Sequence, residues 1–183
     1  MRSIQVQTTL RPFLKGAGVA TSRRTFASSR PWKASNQIYN TVRRPEDLHT
    51  YLLLSSSSRT PLITLWTTNW CSTCRVVAPL LKDVIESGTG EAEGGVGYCT
   101  VEFDSPDIMA DGLGMTYMIT SIPTLLSFDA QEAQVETKVM DARKLADRRF
   151  LEEWVRNEAK RHGGRGGGGG GKGLFGGLFG SFK

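Results

Sequence analysis

The first 45 residues contain neither aspartate nor glutamate, and the whole chain of 183 residues holds three cysteines and two histidines. Each scarcity excludes something. Three cysteines cannot build the disulfide framework of a small secreted domain, and their number fits a reducing compartment with one working pair. A tetrahedral structural zinc needs four ligands. Beyond Cys71 and Cys74 the chain offers only Cys99, His49 and His162, scattered along its length. We therefore expect no metal. No run of about 18 consecutive apolar residues occurs, so no membrane-spanning helix is expected. The net charge of +5 is uneven: residues 1–26 carry five basic side chains, and the rest has 18 basic against 18 acidic. A neutral remainder gives no electrostatic footprint for nucleic acid. The hydrophobic fraction of 39% is low for a compact domain, which places the ends of the chain outside the core.

Those ends differ in kind. Residues 1–26 are rich in Arg, Ser, Thr and Ala, with Leu10, Phe13, Leu14 and Ala17 at helical spacing. This is the composition of a mitochondrial transit peptide, and Arg24-Thr25-Phe26-Ala27 reads as a processing site cut between Phe26 and Ala27. The expected destination is the mitochondrion, the matrix rather than the intermembrane space. Residues 27–35 read as a flexible segment. At the other end Gly163 and Gly164 stop a helix, and Gly166 to Gly171 form an unbroken glycine run that cannot recover its ordering entropy by burial. Beyond it a Leu-Phe-Gly unit occurs twice, at Leu174 and Leu178, flanked by Lys172 and Lys183. Residues 163–183 read as a disordered tail, with weak contact to a partner or an anionic membrane as its one suggested use.

The middle, residues 36–162, has the size of one domain. Ile38 to Val42 reads as a strand, Pro45 to Leu54 as a helix opened by proline, and Ser55 to Ser58 as a polar loop. Pro61 to Thr67 reads as a strand. Val76, Val77, Leu80, Leu81, Val84 and Ile85 draw the apolar stripe of a helix containing Pro79. A loop over Glu86 to Gly95, a strand over Val96 to Phe103 and a short helix over Pro106 to Leu113 follow. Leu125 to Phe128 and Gln134 to Met140 read as a hairpin across a loop at Asp129 to Ala133, and Ala142 to Arg161 as a closing helix with Phe150 and Trp154 in the core. Arg148, Arg149, Arg156, Lys160 and Arg161, interleaved with Glu152, Glu153 and Glu158, read as its solvated face. Cys99 is expected to be a small buried hydrophobe, and His49 and His162 surface or capping residues.

The chemistry gathers at Trp70-Cys71-Ser72-Thr73-Cys74, between a strand and the start of a helix. Residues i and i+3 of a helix share a face about 5–6 Å apart, within disulfide reach. At a helix N-terminus the first cysteine meets unpaired N–H groups and the positive end of the dipole, which favour its thiolate.

The order β-α-β-α-β-α-β-β-α, with a Cys-x-x-Cys after the second strand, resembles the thioredoxin family. The resemblance rests on the Trp70–Cys74 motif, on Pro79 five residues after Cys74, and on Ile122-Pro123-Thr124 entering a strand; Asp104 after Val101-Glu102-Phe103 adds to it. It implies an α/β thioredoxin fold, a central mixed sheet of about five strands flanked by about four helices. It further implies that Cys71 is the attacking thiolate and Cys74 the resolving one, and that they form a redox-active disulfide. Trp70, Ile122 and a cis Pro123 would contact substrate, and Ser72, Thr73 and Pro79 would shape the site. The implied activity is reduction of protein disulfides by a monomer with no bound cofactor. Its electrons would come from NADPH through a thioredoxin reductase, or from the glutathione system. Ser72 and Thr73 replace a typical Gly-Pro, and two hydroxyls beside the Cys71 thiolate would make the pair somewhat more oxidising. Leu65 stands where the family buries an aspartate, with Thr100 near the place of its lysine partner. Val139-Met140-Asp141-Ala142 lacks the usual groove glycine. An adaptor that uses the fold without exchange, and an oxidase or isomerase, therefore stay open.

Overall fold

In the computed structural model, residues 34–161 are described. The expected segments 1–26 and 163–183, the cut after Phe26, and His162 lie outside them, as does most of 27–35.

Five strands make one mixed sheet in the order β1-β3-β2-β4-β5. They are β1 (Gln37–Ile38), β2 (Leu62–Thr67), β3 (Gly97–Glu102), β4 (Thr124–Asp129) and β5 (Glu132–Ala133). β1 and β2 run parallel to β3, β4 runs antiparallel to β2, and β5 antiparallel to β4. Six helices surround them: α1 (Pro45–Ser58), α2 (Ser72–Glu86), α3 (Pro106–Asp111), α4 (Leu113–Thr116), α5 (Ala142–Leu145) and α6 (Arg148–Ala159). Central β2 is buried on both faces along all six residues, as its unbroken apolar and β-branched run requires. Its alternation sorts the core into two layers. Ile63 and Leu65 pack with Val77, Leu81, Val84 and Ile85 of α2 and Leu151, Trp154 and Val155 of α6. Leu62 and Trp66 pack with Leu48 and Leu52 of α1 and Ile108 of α3. Gly90 lets α6 approach the turn after α2: at φ +93° it is left-handed, and a Cβ there would lie 3.2 Å from that of Ala159.

Several elements differ from the sequence reading. Ser55 to Ser58 do not form a loop but continue α1. The Ser57 and Ser58 hydroxyls donate back to Leu54 O at 2.9 and 2.8 Å, and Arg59, left-handed at φ 56°, caps the helix through the Ser55 and Ser56 carbonyls. The first strand stops at Ile38, and Val42 keeps only a single bridge to Val101. The expected five-residue hairpin loop is a tight turn at Ala130 and Gln131, both with positive φ, and β5 starts at Glu132. Gln134 to Met140 is not a strand. Val135–Thr137 forms a 3₁₀ turn, because Trp154 Nε1–H donates to Thr137 O at 2.9 Å and draws that backbone toward α6, leaving Val139 one bridge to Leu125. The closing helix is broken by Asp147, whose carboxylate accepts the Arg149 N–H at 2.9 Å and caps α6. This break, and Gly112 between α3 and α4, turn four expected helices into six. Glu158 does not belong to a solvated face: it is 1% exposed and held by Arg161 at 2.6 Å.

Two buried side chains on β3 carry predictions. Desolvation pushes the Tyr98 hydroxyl up to about 12, opposed in part by its hydrogen bond with Thr100. The folded state then holds this proton more tightly than the unfolded chain. Its contribution is complete below pH ~10 and fades as pH climbs to ~12, a loss of about 3 kcal/mol. Tyr98→Phe should flatten the alkaline fall of the urea midpoint over that window. Cys99 is fully buried, as expected, and burial pushes its thiol well up. Alkylation of the reduced native protein at neutral pH should therefore stop at two thiols, the third reacting only in denaturant, as intact mass would count.

Candidate functional site

β2 ends at Thr67, and the segment 68–71 carries the chain over the sheet edge into α2. Cys71 is the N-cap of α2, with extended φ/ψ of −76° and 110°, and its Sγ accepts the Cys74 N–H at 3.1 Å. An ordinary N-cap uses Ser, Thr, Asp or Asn for this; here sulfur takes the place of oxygen. Cys71 and Cys74 form a disulfide, with Cα atoms 5.3 Å apart. Both are buried, Cys71 at 7% and Cys74 at 3%, so Cys71 is the slightly more exposed residue of the pair. Ser72 is exposed and Thr73 half-buried. The sulfur's hydrogen-bond donor is the Cys74 amide rather than either hydroxyl. Pro79 sits inside α2. The helical donor it removes would have served Arg75, which is exposed, so water can take that carbonyl.

The segment before the cysteines is held by Asp104 and Arg75. The Asn69 N–H donates to Asp104 Oδ2 at 3.1 Å, and the Arg75 guanidinium donates to Asn69 O at 3.2 Å. The Cys71 N–H closes a turn onto Thr68 O at 3.3 Å. Asp104 was visible as the acid after β3; its tie to a backbone N–H 35 residues earlier was not.

Register places Pro123 at this end of the sheet. Trp66 pairs with Thr124, so Pro123 precedes β4 where β2 ends. The Ile122–Pro123 peptide is cis, Pro123 is buried and Ile122 half-buried. Trp70 is 75% exposed, so its indole is not laid down over the disulfide but stands free. Val76, Met118 and Met140 are also exposed. The Thr120 hydroxyl meets Met140 Sδ at 3.5 Å, so the segment that lacks a groove glycine presents a thioether beside the cis-proline loop. Leu65 is fully buried, in register with Thr100 on one side and Leu125 on the other. No carboxylate stands at that position. Among the described residues no group of three or more His, Cys, Asp and Glu side chains is arranged to hold a metal, and no helix is long and apolar enough to cross a membrane.

No protein-family model matches the sequence, and no curated protein matches it. Solved structures do. A poplar thioredoxin h is similar with a TM-score of 0.53 and 14% identity, over 67% of this chain and 96% of that one. The thioredoxin of Fasciola hepatica gives 0.50 and 16% identity over 66% of this chain and 99% of its own. The reduced thioredoxin pre-protein of Schistosoma mansoni gives 0.50 and 18% over 67% and 98%. With its mixed five-stranded sheet, its disulfide at the head of α2 and its cis-proline at the head of β4, the chain has the thioredoxin fold.

Proposed function

We propose that this protein is a thiol–disulfide oxidoreductase that reduces protein disulfides through Cys71 and Cys74. The observation that carries this is Cys71 seated as the N-cap of α2, bonded to Cys74 and with an amide N–H aimed at its sulfur. That N–H and the helix dipole stabilise a thiolate once the bond is open. The Cys71 thiolate attacks one sulfur of a client disulfide, and the other leaves as a thiolate. Cys74, its proton released to solvent, then attacks Cys71 Sγ. The client's second sulfur departs as a thiolate, and the protein retains the pair as a disulfide. Two electrons have passed to the client. Trp70, Ile122 and Pro123, with Met140 beside them, supply the apolar surface on which an extended client segment would lie. Leu65 offers no base, so the proton of Cys74 leaves by water, and we place the resolving step as the slower one.

Regeneration needs two electrons from outside the chain. NADPH through a thioredoxin reductase, or the glutathione system, is the proposed source, and no cofactor is proposed within the chain. The basic, acid-free residues 1–26 support import into the mitochondrial matrix. Equilibrating the pair with glutathione buffers and counting alkylated Cys71 and Cys74 by mass measures its potential. A reductase lies well below ~−200 mV, and an oxidase or isomerase near or above ~−180 mV. A pair that never reaches equilibrium with glutathione would leave a binding scaffold as the reading.

A further inference from the structure

Phe103, Ile108, Met109, Met115, Met118 and Ile119 line an open groove of about 430 Å³ between α3, α4 and the segment that leads to Pro123. This is the size of a pocket that seats a ligand or a few side chains, ~300–1,000 Å³. Three of its walls are methionines, and they stand open: Met109 is 63% exposed, Met115 84% and Met118 54%. Exposed thioethers make a soft surface that repacks around apolar partners, and such a cluster on a soluble domain marks a surface that something covers.

We propose that the groove binds the chain's own C-terminal Leu174-Phe175 and Leu178-Phe179 pairs. The exit point of the chain is the first reason. Arg161, the last described residue, donates to Gln134 Oε1 at 3.0 Å and to Thr137 Oγ1 at 3.5 Å. The residue after Thr137, Lys138, donates to Met118 O at 2.7 Å and Tyr117 O at 3.4 Å. Arg161 thus contacts the segment 134–138, from which the Lys138 side chain reaches the carbonyl of Met118, a residue of the groove. Length is the second reason. Twelve residues, nine of them glycine, separate Arg161 from Leu174. A glycine-rich segment of that length has a root-mean-square span of ~20 Å and a limit of ~40 Å. Charge is the third. Residues 34–161 hold 13 basic and 18 acidic side chains, whereas residues 162–183 hold three basic and none acidic. Lys172 and Lys183 flank the Leu-Phe pairs, so the cationic tail faces a domain of net negative charge.

A short flexible tether raises the local concentration of the tail to about the millimolar range. Contacts worth only ~0.1 mM in isolation would then keep the groove about 90% filled. The docked tail lies next to Thr120, two residues before Ile122, and so flanks the surface assigned to clients. The docking itself does not rest on the redox reading, and its test does not use activity.

The chain has five methionines, Met1, Met109, Met115, Met118 and Met140, so ¹³C-methyl-methionine spectra of the full-length protein report the groove directly. The Met109, Met115 and Met118 methyl resonances should move between the wild type and the full-length variant F175S/F179S. The difference should be unchanged on dilution. In full-length Met115→Glu, the Met109 and Met118 methyls should lose their dependence on the tail. Identical spectra for wild type and F175S/F179S would overturn the proposal. So would a difference that fades on dilution, which assigns the groove to a second copy. A tail whose only response is to added anionic vesicles would also overturn it, with the membrane as its target.

Discussion

Cys71→Ser is expected to lower the rate of protein-disulfide reduction by roughly a thousandfold or more, to the solution background. A serine hydroxyl keeps the cap geometry, since oxygen accepts the Cys74 N–H as sulfur does, but it is no nucleophile toward a disulfide at neutral pH. Measured against the reduced wild type, stability should hardly change while turnover is lost. Cys74→Ser should fail differently. Its Cys71 thiolate still attacks, but nothing resolves the product, so the client stays bonded to Cys71 and appears as an adduct on a non-reducing gel that thiol reductant removes. The N-terminal seat of Cys71 should also bring its alkylation midpoint below the ~8.5 of a free thiol. The assignment of roles is contradicted if Cys71→Ser retains turnover, or if adducts collect on Cys74 instead.

Leu65→Asp is the second large effect. Leu65 is fully buried, in the layer that holds Val77 one turn beyond Cys74. Exchanging its side chain for a carboxylate removes apolar contacts and buries a charge without an established partner, for a loss of about 4 kcal/mol at neutral pH. Desolvation raises the pKa of that carboxyl in the fold. The protonated form is therefore the better tolerated one. The destabilisation should be smallest below the unfolded value of ~3.9 and grow as pH rises through the folded one. Urea midpoints between acid and neutral pH measure this. The same carboxylate can take a proton from the resolving thiol, so in the molecules that remain folded, resolution of the mixed disulfide should quicken by ~10²-fold. Leu65→Asn, which cannot act as a base, should destabilise without quickening. Equal resolution rates in both variants would show that proton removal from Cys74 is not the slow event.

What was legible in the sequence follows from how local its cause is. The stripe from Val76 to Ile85 and the apolar run of β2 report their own burial, so α2, β2 and the cysteines between them were readable. Ser55 to Ser58 misled because serine favours loops unless its hydroxyl finds a helical carbonyl, which Leu54 supplies. The turn at Ala130-Gln131 lacks the Asn or Gly that ordinarily announces positive φ, so the hairpin looked longer than it is. Other features depend on partners far along the chain. Trp154 reaches Thr137 and spoils a strand, and Asp104 fixes Asn69. Alternation and spacing carry no trace of such pairings. The Met-lined groove is of the same kind, for its methionines come from α3, α4 and a loop, and form a surface only once Phe103 and Ile119 lie beneath them.

The most direct measurement is a single turnover. Fully reduced wild-type protein is mixed with a disulfide-bonded protein, quenched with an alkylating reagent, and both partners are weighed. We expect one client disulfide to be lost for each Cys71–Cys74 disulfide gained, with Cys99 still reduced and a transient adduct on Cys71 between them. A protein that leaves the client oxidised and emerges with Cys71 and Cys74 both alkylated would contradict the account.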